Sequence, residues 1–209
     1  MKGGAARGGS FVSAGELAAC ALMTALLIGG QLALSSAAGV EVVTVMLLAF
    51  CTVYGRRAGM LTATAFSLLR CILFGFFPSV VALYLIYYNA FAFFFGSFQK
   101  RRPHLLFLVL FAVAFTACFT LLDDVLYPLF SGIRGRVWRL YVAASLPVMA
   151  AQCVCALATV SLLYLPLERV FSAARGAGRS KRGDKKILQE PQARRKAARR
   201  ADGVKTYER

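Results

Sequence analysis

The sequence predicts an all-α membrane protein, a bundle of six transmembrane helices followed by a basic tail. Three observations predict it. Of the 209 residues, 59% are hydrophobic and only 16% are charged, too apolar for a domain whose whole surface meets water. The apolar residues fall in long runs rather than amphipathic stripes, which marks lipid as the solvent. The short stretches between the runs are basic mainly on one side when the chain is threaded back and forth across a bilayer. The resulting division is an N-terminal cytoplasmic segment at 1–14, a membrane domain at 15–168 and a cytoplasmic tail at 169–209.

Ser13 and Glu16 form an S-x-x-E pattern ahead of an apolar run, a capping box that starts a helix. The first span then covers 17–36, and twenty residues at about 1.5 Å each match the roughly 30 Å hydrocarbon core. A cleaved signal peptide is the competing reading, with Lys2 and Arg7 as its charged start and Ser35-Ser36-Ala37 near a small-residue cleavage site. The run is longer than a usual signal core, and further spans follow it directly. The second span, 40–54, is short, carries Glu41 at its start and ends at Gly55-Arg56-Arg57. The third, 60–77, contains Arg70, and Pro78-Ser79 breaks the chain before the fourth at 80–98. Gln99-Lys100-Arg101-Arg102-Pro103 closes that span. The fifth span, 105–122, is expected to give way to a polar stretch at 123–139. The sixth, 141–167, is long and is expected to kink at Pro147, which lacks a backbone donor.

With the N-terminus inside, Lys2, Arg7, Arg56, Arg57, Lys100, Arg101, Arg102 and the whole tail share the cytoplasmic side. Only Arg134, Arg136 and Arg139 remain outside, with Arg70 in a span. An odd number of spans would put the basic tail opposite the N-terminus, so the count and the positive-inside rule support each other. The tail has almost no large apolar residues and cannot bury a core. A disordered segment is expected there, or a surface helix on anionic lipid.

The formal net charge of +16 invites a nucleic-acid reading, but 14 of the 25 Lys and Arg lie from Arg169 onward and most others sit in short loops. That distribution sets topology and builds no phosphate-binding face. The cysteines Cys20, Cys51, Cys71, Cys118, Cys153 and Cys155 form no C-x-x-C pair and cluster with no histidine, so neither a metal site nor a disulfide framework is expected. No catalytic constellation is visible. His104 sits beside a basic loop, and Gly176-Ala177-Gly178-Arg179-Ser180-Lys181 departs from a phosphate-binding loop. Asp123-Asp124 lacks the third acid of a prenyl-transferase motif, because Tyr127 stands in its place. That pair reads as a solvated helix end.

Polar groups inside spans are costly and therefore informative. Arg70 lies in the outer half of its span, and Gln31, Glu41, Thr44, Tyr84, Tyr87, Tyr88, Asn89 and Gln152 fall at the same depth by this topology. An isolated arginine in hydrocarbon costs at least about 2.5 kcal/mol, so Arg70 should face the bundle and find an acid or a ligand. Glu41, Asp123 and Asp124 are the available acids. Two readings stay open: an internal Arg70–Glu41 pair, or a ligand pocket using Arg70, Glu41, Tyr84, Tyr88, Asn89 and Gln152. Tyr84 and Tyr88, four residues apart, share a helical face. The first span carries Ala18, Ala21, Ala25 and Gly29 on one face, a spacing that permits close helix approach.

These features together resemble the substrate-binding S components of energy-coupling factor (ECF) transporters. The likeness rests on the capped first helix with Ala21 and Ala25 as an A-x-x-x-A pair. It rests also on Gly39-Val40-Glu41-Val42-Val43-Thr44, on Val53-Tyr54-Gly55-Arg56-Arg57-Ala58-Gly59, and on Ser145-Leu146-Pro147 and Leu165-Pro166-Leu167 in the sixth span. It spans about residues 15–168 and looks narrowest toward a bacterial branch with an N-I-E-L-V type motif, whose leading Asn is Gly39 here. The resemblance implies a six-helix protein of the bacterial cytoplasmic membrane, both termini cytoplasmic, that binds a vitamin, precursor or metal ion at the outer side. It implies a transmembrane coupling subunit as partner, contacted through Ala21 and Ala25, and two separate ATPases, which explains the missing phosphate-binding loop. No cofactor and no catalysis are expected. The other readings are a structural or regulatory polytopic membrane protein, and a membrane enzyme with Asp123 and Asp124 as acids or metal ligands.

Overall fold

In the computed structural model the described residues are 13–34, 42–100 and 103–205, with backbone alone at 100 and 178–205. All regular structure among them is helical: α1 (Ala14–Ala33), α2 (Val42–Tyr54), α3 (Arg56–Phe74), α4 (Pro78–Gly96), a 3-10 turn (Ser97–Lys100), α5 (Leu105–Ser131) and α6 (Arg136–Lys205). Five of these helices are long and apolar enough to cross a membrane; α2, at 13 residues, is the shorter apolar helix. At 1.5 Å per residue α2 covers about 20 Å. The chain divides into two units, one ending at Phe171 and one beginning at Ser172.

The first unit is apolar on its outside. Leu22, Ile72, Phe76, Leu106, Leu129, Val154 and Leu162 are all exposed, far more bare hydrocarbon than a surface in water tolerates. Its interior is partly polar. Thr24, Thr116 and Thr159 each donate to the carbonyl four residues back, at 2.8–3.0 Å, which satisfies the hydroxyl inside the helix that carries it. This is the arrangement expected of a membrane-embedded bundle.

The capping box forms as expected. The Glu16 amide donates to Ser13 Oγ at 3.3 Å, and the Ser13 amide donates to Glu16 Oε2 at 3.1 Å. The α2–α3 reversal is one residue long, and Gly55 supplies it at φ 91°, a conformation that penalises any Cβ. Gln99 Nε2 closes over this turn, donating to the carbonyls of Tyr54 at 2.9 Å and Val53 at 3.2 Å. A Cβ on Gly96 would run into the backbone of Arg56, so α4 and the start of α3 meet backbone to backbone. Pro78 occupies the first turn of α4, where its missing N–H costs nothing. The core then stacks rings. Phe66 of α3 meets Tyr84 and Tyr88 of α4, and these reach Phe119 of α5, with centroids 5.2–6.3 Å apart.

Two expectations are corrected. The stretch 123–139 is no polar loop: α5 continues to Ser131, Gly132 ends it at φ 68°, and α6 begins at Arg136. Three apolar residues, Val125, Leu126 and Tyr127, follow the acids before Pro128 and carry the helix on. The tail is not disordered within the described residues, because its backbone is helical to Lys205. Ala, Arg, Lys, Gln and Glu dominate it, and all are strong helix formers. α6 also remains helical through Pro147.

Candidate functional site

The bundle has two ends. One gathers Gly55, Arg56, Gly96 and Gln99; the other gathers the last turns of α1, α3 and α5, the first turns of α4 and the start of α6. At this second end α5 and α6 flank a cavity of about 280 Å³, lined chiefly by Phe119, Thr120 and Asp123 from α5 and Tyr141, Ser145 and Gln152 from α6.

Helical spacing builds both walls. On α5, Thr116, Thr120, Asp124 and Pro128 recur every four residues and are all buried, so one inward stripe is polar. On α6, Trp138, Tyr141, Ser145, Val148 and Gln152 recur at three- and four-residue steps, one face of a helix. The walls are joined by four hydrogen bonds. Thr120 Oγ1 donates to Gln152 Oε1 at 3.0 Å, Tyr141 Oη to Asp123 Oδ2 at 3.1 Å, Ser145 Oγ to Asp124 Oδ2 at 2.6 Å, and Trp138 Nε1 to the Asp124 carbonyl at 3.0 Å. The last bond has a covalent cause: Pro128, four residues on, has no N–H to give that carbonyl. Asp124 is 4% exposed, and its Oδ1 has no hydrogen-bond partner among the described residues. The expectation that Asp123-Asp124 is a solvated helix end is therefore overturned for Asp124.

The residues expected to line a ligand pocket distribute unevenly. Gln152 lines the cavity. Tyr84 and Tyr88 pack against each other with tilted rings, centroids 5.2 Å apart, and both contact Phe119, which lines the cavity. Arg70 lies over the Tyr84 ring, with Cζ 4.0 Å from the centroid, and 5.1 Å from that of Phe74. Its Nε is buried without a hydrogen-bond partner, and beside it Gln31 donates to Tyr84 Oη at 3.4 Å while its own Oε1 is left bare. Arg70 and Tyr84 thus come together, but one aromatic layer away from the cavity, which neither of them lines. Asn89 does not join them: it accepts from Thr64 at 3.0 Å and donates to the Leu85 carbonyl at 2.9 Å, within the α3–α4 contact. Glu41 lies outside the described residues. Ala21 and Ala25 are both exposed on α1.

Phe119, Thr120, Tyr141 and Ser145 were missed by sequence reasoning. The four-residue polar stripe on α5 and its match on α6 were the available signal. No group of three or more potential metal-ligating side chains occurs among the described residues. No family model, curated protein or solved structure matches this chain.

Proposed function

We propose that the chain is the substrate-binding subunit of an ECF-type uptake transporter, holding a small metabolite in the α5–α6 cavity at the outer face of the membrane. The observation that carries this reading is the cavity itself: a largely apolar space with an aromatic wall and a few convergent polar groups, between two helices that meet through side chains. Spaces of a few hundred Å³ with a few convergent polar groups are where small ligands bind.

Several features support the rest. Basic Arg56 and Arg57 mark the opposite end, which by the positive-inside rule is cytoplasmic, so the cavity opens outward and both termini lie inside. Six spans follow if the short apolar helix α2 crosses the bilayer with the five longer ones. The exposed Ala21 and Ala25 leave α1 a face of small side chains on which a transmembrane coupling subunit packs closely. Two separate ATPases drive the cycle, consistent with a chain that carries no phosphate-binding loop. Its place is the bacterial cytoplasmic membrane.

Co-expression with the coupling subunit and ATPases of such a module tests the reading. A stable complex that takes up a compound in an ATP-dependent manner supports it. A chain that purifies alone under those conditions and supports no uptake sinks it.

A further inference from the structure

The cavity's charge deepens that reading, and the inference rests on the cavity being the ligand site. We infer that it selects a small organic cation, an ammonium-bearing metabolite, rather than the anion that Arg70 alone would favour.

Asp123 lines the cavity, and Asp124 lies directly behind it, bonded to the lining hydroxyl of Ser145. Neither acid has an ion-pair partner among the described residues, and no Lys, Arg or His lines the space. Arg70 does not offset them there, because its guanidinium is engaged with Tyr84, and the Tyr84 ring in turn abuts Phe119. Each acid receives a single side-chain hydrogen bond, on Oδ2, which leaves Asp124 Oδ1 buried and bare. Asp124 sits about 28 Å along α5, near the edge of the hydrocarbon core, where an acid persists if it is paired, hydrated or ligand-bound.

A bound ammonium completes this arrangement. Its N–H groups donate to Asp123, and its charge offsets that of Asp124 across one serine hydroxyl. The aromatic rings of Phe119 and Tyr141 line the space, and aromatic rings attract a cation through their faces. Gln152 holds Thr120 on the far wall, so polar contact with the rest of the ligand is available there. The volume admits a compound of modest size and excludes large cofactors.

Trp138, the only tryptophan, is bonded to the Asp124 carbonyl and reports on the site by fluorescence. The full chain in nanodiscs is titrated with 2-phenylethylammonium, with 3-phenylpropanoate of similar size, and with sodium ion alone. Melting temperature is followed in parallel. The ammonium is expected to change Trp138 emission saturably and to bind at least about tenfold more tightly than the carboxylate, a difference of about 1.4 kcal/mol. Asp123→Asn, which keeps an acceptor for Tyr141, is expected to erase that preference while the fold persists. Should Asp123→Asn fail to fold, Ser145→Ala is used in its place and is expected to weaken ammonium binding severalfold. Equal or tighter binding of the carboxylate overturns the cationic assignment and leaves the cavity as the ligand site. The same response to sodium ion alone overturns the organic part of it. No response to any probe also overturns it; a co-purified neutral or anionic compound displaced by Ala144→Trp then shows that the cavity reading itself survives.

Discussion

The indole N–H of Trp138 donates to the backbone carbonyl of Asp124, the carbonyl that Pro128 leaves without an intrahelical donor. A local defect in α5 is thus repaired from α6, and the repair fixes the register in which Tyr141 meets Asp123 and Ser145 meets Asp124. That register brings the polar groups of the cavity together.

Replacing Trp138 with Phe should strip the Asp124 carbonyl of its donor and cost about 1–3 kcal/mol, the penalty for an unmade hydrogen bond in a part-buried place. In a Pro128→Ala background the new amide at 128 supplies the donor, so the same Trp138 substitution should cost much less. A double-mutant cycle on reversible unfolding in bicelles measures the difference. Equal costs in the two backgrounds would show that the proline and the indole are unrelated.

Glycine positions separate sharply. Gly96→Ala should destabilise the protein by about 1–3 kcal/mol, as overpacking does, because the added methyl meets the Arg56 backbone. Gly29→Ala has nothing within 4 Å to strike and should be neutral or slightly stabilising through helix propensity. Thermal aggregation midpoints of the two purified variants compare them directly; similar losses for both would contradict the close α3–α4 approach.

Much of this architecture was legible in the sequence, for reasons particular residues make plain. Ser13 and Glu16 announced the first helix, Pro78 the fourth, and Gly55 the end of the second, because each acts through its own backbone chemistry; that α3 starts at once at Arg56 was not read. Arg70 was singled out by its cost in lipid, but the expected acid partner gives way to an aromatic seat on Tyr84, set by a rotamer that no spacing rule specifies. Asp124 was misjudged because burial there depends on α6 lying alongside, a long-range fact. The extension of α5 past Asp124 was hidden by the polar pair, which reads locally as a helix end.

Arg70 is held by the face of Tyr84, so the ring and not the hydroxyl should matter most. Tyr84→Phe keeps the cation–π contact and should stay close to wild type. Tyr84→Leu should lose about 0.5–2 kcal/mol. Unfolding monitored for both variants decides it, and a larger loss in the Phe variant would shift the weight to the Gln31–Tyr84 hydrogen bond.

Ala21→Trp and Ala25→Trp add bulk on an exposed face of α1, so the isolated protein should keep its melting temperature. Association with the coupling subunit should fall at least tenfold, about 1.4 kcal/mol. A pull-down with tagged coupling subunit reads this, and undiminished recovery would remove α1 from the interface.

Orientation is open to single-cysteine labelling in intact cells on a cysteine-free background. A cysteine at Gly132 should react with an impermeant reagent, and one at Arg57 should not. The opposite pattern would turn the cavity toward the cytoplasm and end the uptake reading.

The central claim, that the space between α5 and α6 holds a small molecule, is tested most directly by native mass spectrometry of the freshly purified full chain beside its Ala144→Trp variant. Ala144 lines the cavity, and an indole there fills it. The expected result is a small adduct on the wild-type protein that is absent from a folded, monodisperse Ala144→Trp variant. An adduct retained undiminished by that variant would contradict the claim.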